Sequence, residues 1–169
     1  RDTFEMLNKK LNIEPKSFAV GVRISHPQAM INESQYGPEF SKYLQPASYK
    51  LTYQTKSGRG VYSFCMCPGG YLVNASSEDN RLAINGMSYS KRDSENANSA
   101  LIVTVTPKDF GENPLSGLEF QRKLEESAYK VGNKSIPVQQ YIDYKNNKES
   151  ITLGEVKPIV KGIYTLSDI

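Results

Sequence analysis

Tryptophan is absent from the 169 residues, histidine occurs once and cysteine twice. Two cysteines do not suit a small disulfide-stapled scaffold, so a reducing, cytoplasmic setting is expected. One histidine excludes a His-rich metal site, and a Ser-His-Asp triad would have to use His26. No apolar run approaches the roughly 20 residues of a membrane-spanning helix. Charge of one sign is lacking too: 21 Lys and Arg face 18 Asp and Glu, a net charge of +3. The basic pairs Lys9-Lys10, Lys91-Arg92 and Arg122-Lys123 each have acids nearby, which argues against the basic stripe of a nucleic-acid binder. No Gly-x-Gly-x-x-Gly follows a strand pattern, and no phosphate loop ending in Gly-Lys-Ser/Thr is present. The chain therefore carries no dinucleotide fingerprint of its own.

What is present suits one soluble globular domain over residues 1–169, with 38% hydrophobic and 23% charged residues. Eleven tyrosines and six phenylalanines are expected to carry the aromatic burial. The chain opens on Arg1 without a leader pattern and closes on Ser167-Asp168-Ile169, where Ser167 followed by Asp168 reads as a helix N-cap. The expectation is a segment excised from a longer polypeptide.

Asp2-Thr3-Phe4-Glu5 reads as a helix cap, opening a helix to about Leu11. Residues 17–24 (SFAVGVRI) read as a strand, with Gly21 marking a bulge or a close backbone approach. Two short helices are expected at 28–34 and 38–44, then a half-buried strand at 48–55. Residues 61–67 and 71–76 read as strands of one hairpin joined by Pro68-Gly69-Gly70, and Asn85-Gly86 as a further turn. Residues 87–99 are polar and irregular, and 100–106 (ALIVTVT) form the most apolar strand, central to a sheet. Residues 114–131 are the longest helix, with Gly132 at its C-cap. Residues 138–144 fit a short strand or a short helix, and 150–160 hold one more strand. Strands in runs with helices apart predict an α+β fold with a mainly antiparallel sheet, a barrel-like closure being one form of it.

Three constellations could carry chemistry. Cys65 and Cys67, two apart on a strand and so on one face, read as small buried residues, a thiol beside a redox cofactor, a sterically awkward Cys-x-Cys disulfide, or two of the four ligands a zinc would need. The Pro68, Gly69 and Gly70 turn would offer bare backbone N–H groups to an anionic or flavin group, or is simply a tight turn. The stretch 85–99 could present Ser88, Arg92, Asn96 and Asn98 to a ligand, or be a solvated loop. His26, at a strand end, is a candidate general base or a structural histidine. Arg23, on an otherwise apolar strand, must pair with an acceptor or reach solvent.

The blocks SFAVGVRISHPQ, QYG, YKLTY, GRGVYSFCMCPGGYLVNASSE, NGMSYSKRDSENANSALIVTV and LEFQRKLEE together resemble the middle segment of uncharacterised bacterial FAD-dependent dehydrogenases, over roughly residues 1–144. The resemblance implies that the FAD fingerprint lies before this segment and a second flavin-contacting segment after it. The chain would then be an inserted cap domain over the active-site cleft, binding an unknown small molecule beside the flanking flavin-binding domain. FAD would belong to the whole protein, with none held by this segment alone, which would be inactive by itself. No established catalytic residue is carried over: His26, Cys65 and Cys67 stand as candidate catalytic residues, and Pro68, Gly69, Gly70, Arg92, Asn96 and Asn98 as candidate cofactor contacts. Two rival readings are a non-catalytic RNA- or protein-binding module of a flavin-dependent modifying enzyme, and a free-standing thiol enzyme using Cys65 or Cys67.

Overall fold

The computed structural model describes residues 2–154 and 156–169. Among the described residues, five helices and nine strands follow one another as α1 (Asp2–Asn8), β1 (Phe18–Pro27), α2 (Gln28–Tyr36), β2 (Thr52–Gln54), β3 (Gly60–Cys67), β4 (Gly70–Asn74), β5 (Ile84–Ser88), β6 (Asn96–Val105), α3 (Pro107–Phe110), α4 (Ser116–Val131), β7 (Ile136–Val138), α5 (Tyr141–Lys145), β8 (Val160–Lys161) and β9 (Tyr164–Leu166). The fold is α+β, and its main sheet is antiparallel in the order β1-β6-β3-β2. A second sheet, β5-β4-β8, pairs β4 with β5 antiparallel and with β8 parallel, and β7 and β9 form a parallel pair. β1 and β2 are the edges of the main sheet, so it does not close into a barrel.

β6 is the central strand, and it is longer than its apolar half. It pairs with β1 over ten positions, from Phe18 opposite Val105 to Pro27 opposite Asn96. The polar run Asn96 to Ser99 disfavours a strand by composition. It is held as one because its side chains find partners: Asn96 Nδ2 donates to Lys157 O at 2.8 Å and Ser99 Oγ to Phe64 O at 3.3 Å.

Four local expectations give way to tertiary context. β3 and β4 are not a hairpin but lie in different sheets. Pro68, Gly69 and Gly70 form a buried corner between them, not an exposed tip. Gly69, at φ 49°, packs so closely that a Cβ would meet Arg92 O at 1.9 Å. Asn85-Gly86 lies inside β5, with Gly86 opposite Leu72. Residues 38–44 form turns rather than a helix. Phe40, Tyr43 and Leu44 are exposed there, and a short helix without a packed face is unstable in water. The 138–144 stretch holds both alternatives in part, β7 ending at Val138 and α5 starting at Tyr141.

The core is small. Ala47, Leu72, Leu82, Ala97, Val105 and Ile136 are the buried hydrophobic residues among those described. None of the tyrosines or phenylalanines is fully buried, contrary to the expectation that they carry the burial. Phe18, Phe110 and Phe120 instead form a half-buried aromatic cluster with centroids 5.1–6.2 Å apart. It seats α3 and α4 on one end of the main sheet. The chain exposes 11532 Å², against about 8,300 Å² expected for a self-contained monomer of its 18.9 kDa. Among the described residues, no helix is long and apolar enough to cross a membrane.

Candidate functional site

Chemistry-bearing side chains collect where β1 ends and β6 begins. In that register Arg23, Ser25, Asn98 and Ala100 share one face of the sheet, while Ile24, His26, Ala97 and Ser99 share the other. Two clusters therefore sit back to back across one layer.

On the first face, Arg23 Nη1 donates to Asn98 Oδ1 at 2.6 Å and to Cys65 O at 3.2 Å, and Nη2 reaches Asn85 Oδ1 at 3.3 Å. The planar fork lets one cation bind acceptors on three strands. Gly86 makes room for this: a Cβ there would lie 2.1 Å from Asn98 Oδ1 and 2.2 Å from Arg23 Nη1. Asn98 is 1% exposed, yet its Nδ2 has no hydrogen-bond partner. Cys65, exposed and at φ 45°, sits where the β3–β6 register shifts between Phe64 and Cys67. This bulge breaks the strand alternation that was expected to set both cysteines on one face. Cys67 is half-buried, its thiol donating to Cys65 O at 3.3 Å with Arg23 Nη1 4.0 Å away. The two cysteines are free thiols.

On the second face, His26 Nε2 and the Tyr49 hydroxyl lie 2.8 Å apart. Partial burial lowers the His26 pKa, against a smaller opposing effect of nearby backbone hydrogen bonds. A neutral imidazole is therefore favoured near neutral pH. Burial pushes the Tyr49 phenol upward, opposed in lesser degree by a hydrogen bond with Ser99 and by the Arg23 charge. His26 Nδ1 is buried without a partner. A neutral imidazole and a protonated phenol in contact can hold and pass a proton.

The model of the FAD-dependent protein, C-terminal domain-like family matches residues 17–169. The chain belongs to this family. It is also 51% identical over 175 residues to an uncharacterised protein of Clostridium beijerinckii, a match that covers all of this chain and 33% of the relative. The chain thus spans about a third of the length of the curated relative it matches.

As a member of an FAD-dependent family, the chain invites a test of its own residues against FAD. The 68–70 corner does not fit a phosphate cradle. All three residues are buried, and the Gly69 N–H already donates to Gln28 Oε1 at 2.8 Å. Ser88 Oγ in turn donates to Pro68 O at 2.6 Å. Arg92 is exposed at φ 52° on the 89–92 turn, outside either cluster. Asn96 is buried, its amide committed to Lys157 O. Of the candidates read from sequence, the structure thus brings together Asn98, Cys65 and Cys67 around Arg23, with His26 across the sheet. Tyr49, Gln28 and Asn85 were missed. For Tyr49 a signal existed, since the alternation Tyr49, Leu51, Tyr53 puts the three on one face.

Proposed function

We propose that this chain is the substrate-side domain of a larger FAD-dependent oxidoreductase, whose flavin is held by the remainder of the polypeptide. The family membership and the threefold greater length of the Clostridium relative support this reading. The observation that carries it is the 2.8 Å contact between His26 Nε2 and the Tyr49 hydroxyl, a proton-handling pair at the end of an open sheet face. When bound, the flavin supplies the hydride chemistry. This domain orients the substrate, excludes water and takes up the proton that a substrate O–H or N–H loses on oxidation: that group donates to the Tyr49 oxygen while the Tyr49 hydroxyl passes its own proton to the neutral His26 Nε2.

The test uses the whole protein. It should purify yellow, with one FAD per polypeptide. With any small molecule that reduces that flavin, Tyr49→Phe should slow reduction by about 100-fold at unchanged flavin content, the usual worth of general-base catalysis. A colourless protein, or a Tyr49→Phe variant that reduces at the parent rate, would defeat the proposal.

A further inference from the structure

The face of the main sheet that carries His26 and Tyr49 also carries Val22, Ile24, Leu51, Tyr53 and Leu101, and all five are exposed. The register makes them neighbours: Val22 lies opposite Leu101, Leu101 opposite Ser63, and Ser63 N donates to Leu51 O at 2.9 Å. At one end of this face, α2 and the Ala47 segment cover Ala97 and Ser99, Asn32 Oδ1 accepting from Ala47 N at 2.8 Å. At the other end Phe110 and Phe120, from α3 and α4, pack on Phe18. Between these two shoulders the apolar centre of the sheet is left open.

A self-contained monomer rarely exposes a contiguous apolar patch of more than a few hundred Å². The surplus surface of this chain, about 3,200 Å² over the expected value, is several times the roughly 800 Å² that each partner gives to a standard interface. We propose that this open trough is the docking surface for the flavin-bearing remainder of the same polypeptide. This rests on the reading above that such a remainder exists and holds FAD. The occupant follows from chain length and tethering. The matched relative is three times as long as this chain, and a covalently tethered domain is present at an effective concentration on the order of mM. It covers an apolar face before a second copy can. Docking there sets the Tyr49–His26 pair at the rim of the domain boundary, where clefts for small molecules are commonly found.

Tyr53, Tyr43 and Tyr141 make the experiment possible, since in this chain they are 67%, 76% and 75% exposed. Hydroxyl-radical footprinting of the whole protein, read by mass spectrometry, compares three residues of one chemistry and near-equal exposure. Tyr53 should be modified roughly ten-fold more slowly than the other two, as for a residue in a dry interface core. The double variant Tyr53→Glu with Leu101→Glu should raise the radius of gyration in solution scattering while the flavin stays bound. A yellow protein in which Tyr53 reacts as fast as Tyr43 and Tyr141 overturns the docking surface and leaves the proposed function standing. A colourless protein overturns that function, and the flavin-domain partner with it. Protection that vanishes on dilution, as the measured mass halves, assigns the trough to a second copy and overturns the proposal.

Discussion

Replacing Gly21 by Ala tests how the site is positioned. Gly21 lies in β1 opposite Ile102, two residues before Arg23. A Cβ on it would stand 2.0 Å from Leu101 O and 2.8 Å from Ile102 Cα. Both are backbone atoms of the central strand, so no side-chain rotation relieves the clash and the strands must part. Overpacking of this kind costs about 1–3 kcal/mol, and one or two weakened ladder hydrogen bonds add about 1 kcal/mol each. The sum, about 2–5 kcal/mol, is a large share of the 5–15 kcal/mol that holds a typical domain folded. For a chain of this size it should lower the melting midpoint by roughly 10 °C. Gly60→Ala on β3 is the control. Its added Cβ would meet nothing closer than Gln54 Oε1 at 3.6 Å, so its midpoint should stay near the parent's. The reasoning fails if thermal unfolding by circular dichroism places Gly21→Ala within about 2 °C of Gly60→Ala.

Three further outcomes follow from the two clusters and the sheet edge. Arg23→Met leaves the buried Asn98 amide without its donor and should cost about 1–3 kcal/mol in denaturant unfolding. Arg23→Lys should recover only part of it, because an ammonium cannot fork to Asn98 and Asn85 together, and full recovery would reject that role for the fork. His26 is the only histidine, so its ring-proton resonance can be followed alone through a pH titration. Its midpoint should fall below the ordinary 6.5, since burial disfavours the charged ring. The unfolded chain then binds more protons than the folded one around that pH, and stability should drop as pH falls from neutral through the folded midpoint. A midpoint at or above 6.5 contradicts this. Asp109 is held at about 2, chiefly by the Arg59 guanidinium, whose Nη2 stands 2.6 Å from Oδ1. Its contribution is present above the ordinary 3.8 and is lost as pH falls toward about 2. The melting-point gap between the parent and Asp109→Asn should therefore be full near about pH 5 and close at the acid end; a gap that persists there refutes the assignment.

Much of the local structure was legible. β1, α2, the apolar half of β6 and α4 each carry a period that matches their geometry, and Gly132 ends α4 with its N–H on Ala128 O at 2.9 Å. The close backbone approach at Gly21 was also legible, because a glycine inside a β-branched run has few other uses. The candidate site was half legible. Arg23, His26, Asn98 and the cysteines drew notice by residue type, but Tyr49 did not, its alternation having been read only as a strand.

What the sequence determined by itself was the class of fold and the identity of its regular elements, because period, caps and breakers act over a few residues. What only the tertiary structure decided was partnership. It joined β3 to β6 rather than to β4, buried the Pro68 corner against Gln28, and turned the polar run 96–99 into a strand. Each of those outcomes rests on hydrogen bonds between residues tens of positions apart, such as Gly69 N to Gln28 and Arg23 to Asn98. Such pairings are chosen by global packing, and no local window of sequence contains them.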